Sequence, residues 1–155
     1  MVLSGTSAER APGAQELFMN GPHLATRRFE VGNVNLNPEK SNNLDMSLNY
    51  SDGGIFAKYT VYVNNVNDFI YLLDESDEDH EEHEEEHGGL TLAEYLQNDA
   101  KFTGYEFELG NSYQLENGTL TATVGLDAVE GKLKDSQMFV PVSYTHLRAH
   151  ETQPY

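Results

Sequence analysis

Apolar and polar residues alternate along four stretches of the chain, and a period of two places the apolar side chains of a β-strand on one face. The stretches are Asn43–Tyr50, Ile55–Asn64, Gly104–Leu115 and Thr119–Ala128. Turn residues join them in pairs, at 51–54 and at 116–118. The pattern predicts an all-β chain made of antiparallel hairpins.

The two short turns alternate with long connections, at about 9–40 and 74–103. The stretches are about ten residues long, which is the length at which a tilted strand crosses the hydrocarbon of a bilayer. Outer-membrane β-barrels combine such strands with short periplasmic turns and long extracellular loops. A soluble β-sandwich also alternates and is the other possible fold, although Glu106 and Glu108 opposite an apolar stripe favour the polar lumen of a barrel.

Composition excludes several classes of protein. The formal net charge of −17 argues against nucleic-acid binding, which needs a basic face. The chain has no Cys, so it has neither disulfides nor a thiolate metal site. It also has no apolar run of about 18 residues, and residues 1–20 lack the pattern expected of a signal peptide. The sequence shows neither a phosphate-binding loop nor a nucleophile with a neighbouring base, so no motif in it indicates an enzyme.

The densest charge lies in Asp74–His87, where fourteen residues include ten carboxylates, three histidines and no basic residue. Zinc binds imidazole nitrogen and carboxylate oxygen. On a helix, His80, His83 and His87 would share one face with Glu84, so these four residues are candidate metal ligands. We interpret the run as a collector that raises the local cation concentration through its field. The alternative is a solvated acidic loop whose histidines are compositional.

The last fifteen residues depart from the rest, because acidic residues nearly vanish and the alternation stops. Residues 142–152 (VSYTHLRAHET) resemble the conceptual translation of a transposase sequencing adaptor. We therefore expect 141–155 to be a non-native tail and 1–140 to be an open-ended piece of a longer protein. His146 and His150 are then excluded as ligands, whereas a genuine tail would carry them as a pair.

Short motifs in a fixed order resemble the C-terminal half of a TonB-dependent receptor barrel, most closely its zinc-uptake branch. They are Glu9-Arg10-Ala11-Pro12 with Gln15-Glu16-Leu17-Phe18, Asn20–Thr26, Phe29–Asn33 and Leu36–Asn43, together with 64–72 and 97–106. The resemblance covers about 3–140. It implies about five antiparallel strands of a roughly 22-stranded transmembrane β-barrel, located in the bacterial outer membrane.

The resemblance also implies import of a metal ion or metal chelate, with Zn²⁺ expected first, through contact with outer-membrane lipid and with the TonB system. It makes 74–103 an extracellular acidic and His-rich loop. It places His23 near the extracellular mouth as a candidate metal ligand of a deeper site, with a hydrogen-bonding role as the alternative. The rival functions are an iron–siderophore receptor with an incidental acidic loop and a soluble acidic metal-buffering β protein.

Overall fold

The computed structural model describes residues 1–74 and 89–134 in full, and the backbone of 139–140 and 147–151. Four of the predicted metal ligands, His80, His83, Glu84 and His87, lie outside the described residues. Strands make up most of the described part, which confirms the all-β prediction. Within these described ranges, no helix is long and apolar enough to cross a membrane.

The described elements follow one another along the chain as β1 (Val2–Arg10), α1 (Ala14–Phe18), β2 (Asn20–His23), β3 (Arg28–Val31), β4 (Glu39–Asp52), β5 (Ile55–Asp74), β6 (Thr91–Leu115), β7 (Gly118–Leu133), β8 (Phe139–Val140) and β9 (Leu147–Glu151). The five long strands are neighbours in the order β1-β4-β5-β6-β7, in agreement with the expected number. Strands β8 and β9 pair with β7. The interpretation of 141–155, which includes β9, as a non-native tail stays a prediction.

The structure adds one parallel pair to the sheet and corrects the bounds of one connection. Strands β2 and β3 form an antiparallel hairpin, but β3 pairs with β6 in parallel. Strand β6 begins at Thr91, so 91–103 belongs to a strand rather than to the long connection predicted at 74–103. Residues 91–94 form a strand because their backbone pairs with β3, which lies far away in the sequence. Strands β5 and β6 have 20 and 25 residues, which is well beyond the length that a strand needs to cross a bilayer.

The chain divides into two compact units, and the first contains Met1–Ser7, Asn42–Asn65 and Lys101–Tyr155. Its large apolar side chains are exposed at the positions predicted from the alternation. They include Leu44, Leu48, Tyr50, Tyr59, Tyr105, Phe107, Leu109, Tyr113, Leu115, Leu120, Val124 and Leu126. So many exposed apolar side chains mark a surface that is covered by something other than water, and lipid covers this surface in a membrane barrel.

The alternate positions of the same strands are polar. Lys58, Glu106, Glu108 and Asp127 line one cavity of about 300 Å³. The tight turn between β4 and β5 also forms as predicted. Its two central residues, Gly53 and Gly54, adopt φ values of 56° and 92°. Such positive values at both central residues are typical of a type I′ hairpin, and glycine adopts them without steric cost.

The second unit contains Ala8–Ser41 and Val66–Ala100, and none of the four alternating stretches. Among its described residues, few apolar side chains are buried: Val66, Ile70, Ala93 and Ala100. Glu30 is buried in the same unit, with an exposed fraction of 2%. Acidic residues are almost never buried to this extent unless they are paired. The partners of Glu30 therefore define the candidate site.

Candidate metal-binding site

Three polar side chains surround the carboxylate of Glu30 in β3. Its Oε1 lies 2.6 Å from Nδ1 of His23. Its Oε2 accepts a hydrogen bond from Nε2 of Gln15 at 2.9 Å and a longer one from the hydroxyl of Tyr95 at 3.4 Å. These bonds satisfy a buried charge that would otherwise be costly.

The β2–β3 hairpin brings His23 to Glu30. In its register Gly21 stands opposite Glu30, so the histidine two residues further along shares a face with the carboxylate and reaches it diagonally. The turn between the strands closes through Arg27, whose φ is 56°. The imidazole remains 43% exposed while the carboxylate is 3% exposed. The hairpin thus presents a half-exposed imidazole on a buried anion.

Helix α1 supplies Gln15 because it packs closely against the end of β3. The N–H of Gly32 donates to the carbonyl of Met19 at 2.7 Å, and the N–H of Asn33 donates to that of Glu16 at 2.8 Å. A Cβ at Gly32 would lie 2.7 Å from the backbone of Leu17. Only glycine permits this approach.

Arg10 bridges two further carboxylates of the second unit. Its Nη1 lies 2.9 Å from Oε2 of Glu16, and its Nε lies 2.6 Å from Oε2 of Glu39. The other oxygen of Glu39 accepts the N–H of Ile70 at 2.7 Å. The arginine therefore connects β1 with α1 and with the start of β4.

The electrostatics of the site keep Glu30 ionised. Burial alone raises the pKa of this carboxyl, but the hydrogen bonds from His23 and Gln15 outweigh it and hold the pKa below the ordinary value. Tyr95 responds in the opposite sense, because burial and the nearby Glu30 charge raise the pKa of its hydroxyl. At neutral pH the site therefore holds one carboxylate anion and a neutral phenol.

The same hairpin is bonded to both borders of the acidic run. Arg28 of β3 pairs with Asp74, the first residue of the run, through Nε and Oδ1 at 2.6 Å. Beyond the run, the N–H of Thr91 donates to the carbonyl of Arg27 at 3.1 Å. The segment that contains the predicted histidine ligands therefore begins and ends beside the hairpin that contains His23.

Of the five predicted metal ligands, His23 is the one that the structure describes. The hydrogen bond that the alternative interpretation expected of it is present. Within 1–74 and 89–134, no three His, Asp or Glu side chains are grouped to hold a metal ion. Sequence reasoning missed Glu30, although a charge between Phe29 and Val31, seven residues after His23 and across a turn, was a detectable signal.

Long strands with an exposed apolar face and a polar alternate face are typical of a transmembrane β-barrel. A family model described as "TonB dependent receptor-like, beta-barrel" matches residues 3–152. The chain therefore belongs to the TonB-dependent receptor family. These receptors are barrels of the bacterial outer membrane and not enzymes, so both of those predictions are confirmed.

Among solved structures, the chain is similar to one titled "Copper transporter OprC", with a TM-score of 0.64 and 23% sequence identity. The match covers 90% of this chain and 19% of that chain. This chain thus spans about a fifth of the length of the solved protein. At this level of identity the likeness shows the fold alone.

Proposed function

We propose that the receptor containing this chain imports a metal ion or metal complex, that zinc is its cargo, and that the TonB system drives import through parts outside this chain. The observation that carries the proposal is the attachment of the acidic–histidine run, at both borders, to the hairpin of His23. This attachment supports a path on which the run meets the metal first and His23 receives it.

The run supplies the chemistry of capture. Its ten carboxylates attract divalent cations from solution, and His80, His83 and His87 add the imidazole nitrogens that zinc prefers over water. Glu84 completes the proposed ligand set. Without thiolates such a site binds zinc less tightly than a cysteine cage does, which suits capture followed by release.

His23 is the proposed ligand of the deeper step. Its ring is half exposed, and one of its nitrogens is already engaged by Glu30. The other nitrogen is the donor that a metal passing from the run would meet on this hairpin. The ion pair of Arg28 with Asp74 and the hydrogen bond from Thr91 to Arg27 support a path from the run to this hairpin.

Copper is the second candidate cargo. The similar solved structure is titled a copper transporter, and imidazole ligands suit copper and zinc alike. An iron–siderophore receptor would leave the histidines of the run without a role. The exposed apolar face of the first unit argues against a soluble metal-buffering protein.

Calorimetric titration of the complete receptor in detergent with Zn²⁺, Cu²⁺, Mn²⁺ and Ca²⁺ tests the proposal. A matched variant replaces His80, His83 and His87 by Gln and keeps every carboxylate. It separates metal coordination by the imidazoles from the electrostatic attraction of cations by the carboxylates. We expect zinc to bind at about micromolar concentration or tighter, and more weakly in the variant. Equal and weak heats for all four cations would overturn the proposal, and a clear preference for Cu²⁺ would replace zinc by copper.

A further inference from the structure

We infer that Glu30 is the positioning residue of the His23 site: it fixes the proton of the imidazole on Nδ1, so that Nε2 is the nitrogen offered to the metal. This inference rests on the proposed function, because it assigns a second residue to the proposed deeper site. It concerns a residue that neither the sequence pattern nor the family match singles out.

The hydrogen-bonding inventory of the pair carries the argument. An ionised carboxylate only accepts hydrogen bonds, so the ring nitrogen 2.6 Å from Oε1 of Glu30 must donate. A neutral imidazole has a single N–H, and placing it on Nδ1 leaves the lone pair on Nε2. That lone pair is the group that binds a divalent metal.

Glu30 itself is held away from the role of ligand. Its side chain is 3% exposed, and its second oxygen already accepts bonds from Gln15 and Tyr95. The carboxylate therefore has little freedom to rotate toward a metal bound on the exposed side of the ring. A carboxylate that orients a metal-binding histidine from behind is a common arrangement, and its loss typically costs about 10–100-fold in metal affinity.

Replacing Glu30 by Gln gives a sharp contrast, because the amide keeps the shape of the side chain but can donate a hydrogen bond. If its oxygen takes the place of Oε2 and accepts from Gln15 and Tyr95, its NH₂ group faces Nδ1 and donates to it, which moves the ring proton to Nε2 and removes the lone pair that the metal needs. Glu30→Asp retains a carboxylate and should restore part of the affinity. Glu9→Gln is the matched control, since Glu9 is a carboxylate of the same unit that pairs with Lys40 and has no contact with the His23 site.

The experiment uses the complete receptor with the three histidines of the run already replaced by Gln, so that the run contributes no imidazole to the measured zinc affinity. Two readouts are taken: the zinc Kd, and the ¹⁵N chemical shifts of the His23 ring without metal, which report the tautomer. We expect Glu30→Gln to weaken zinc binding about 10–100-fold and to move the proton to Nε2. Glu9→Gln should leave both readouts unchanged.

The outcomes separate the two claims. If His23→Gln leaves the zinc Kd unchanged, the proposed role of His23 fails. If His23→Gln weakens binding but Glu30→Gln changes neither the Kd nor the tautomer, the inference is overturned and the proposed function stands. The tautomer of unsubstituted His23 decides the matter even if Glu30→Gln does not fold, because a ring protonated on Nε2 contradicts the inference directly.

Discussion

Arg28 and Asp74 form a two-pronged ion pair, with Nε 2.6 Å from Oδ1 and Nη2 2.6 Å from Oδ2. Arg28 belongs to β3 of the His23 hairpin, and Asp74 is the last residue of β5 and the first of the acidic run. This fork-to-fork geometry is specific to arginine. It fixes one border of the run to the hairpin.

Arg28→Lys is expected to loosen this border, because an ammonium group cannot reproduce the fork. Both partners are partly exposed, so the loss of overall stability should stay below about 1 kcal/mol. Hydrogen exchange of the complete receptor should nevertheless be faster at the Thr91 amide, which donates to Arg27. Lys40→Gln, which removes the exposed Lys40–Glu9 pair, is the control. Equal exchange rates of the Thr91 amide in Arg28→Lys and Lys40→Gln would contradict the role of Arg28 in fixing this border of the run.

Arg10→Gln is expected to free α1, because both Glu16 and Glu39 lose their cationic partner. Half of the arginine side chain is exposed, so we expect a cost on the order of 1 kcal/mol. Limited proteolysis of the receptor should cut the segment 11–19 faster than in the unsubstituted protein. An unchanged cleavage rate there would show that the bridge contributes nothing to the stability of the helix.

Acid should loosen the same segment. Burial raises the pKa of Glu16, but the hydrogen bonds from Arg10 and from the N–H of Gly13 outweigh it, so its folded pKa lies below the ordinary value of 4.5. A lowered carboxyl pKa contributes stability that is complete above about pH 4.5 and is lost as the pH falls through the folded value. Proteolysis of 11–19 should therefore accelerate as the pH falls below about 4.5. In Glu16→Gln the rate should be higher at neutral pH and respond less to acid.

Neighbouring positions of β6 should differ in their tolerance of charge. Leu109 lies on the exposed apolar face and Glu108 lines the polar cavity. Arginine on a lipid-facing position costs about 2–4 kcal/mol near the bilayer midplane, whereas lumen positions accept charge. Leu109→Arg should reduce the fraction of receptor that folds in the membrane, measured by heat-modifiable electrophoretic mobility, and Glu108→Arg should not. Equal folding of the two variants would contradict the lipid-facing assignment.

The sequence predicted the part of the fold that depends on local pattern. Alternation placed Leu109 and Glu108 on opposite faces, and Gly53-Gly54 in a tight turn, because strand periodicity and glycine conformations are local properties. The start of β6 at Thr91 could not be predicted in this way. Its strand pairing depends on β3, about sixty residues earlier, and no local pattern encodes such a pair.

The same distinction applies to the candidate site. The family resemblance singled out His23 near the extracellular mouth, whereas the role proposed for Glu30 depends on its surroundings. Gln15 comes from α1 and Tyr95 from β6, so the carboxylate finds its partners on three different elements. The close packing of Gly32 against the backbone of α1 brings Gln15 next to Glu30. It follows from packing, which one sequence does not reveal.

Uptake of radioactive zinc by cells that depend on the complete receptor tests the central claim most directly. The comparison is between the unsubstituted receptor, the variant with His80, His83 and His87 replaced by Gln, and His23→Gln. We predict that the first variant lowers uptake several-fold when zinc is scarce and much less when zinc is abundant, while His23→Gln lowers uptake under both conditions. Uptake by both variants equal to that of the unsubstituted receptor at scarce zinc would contradict the account.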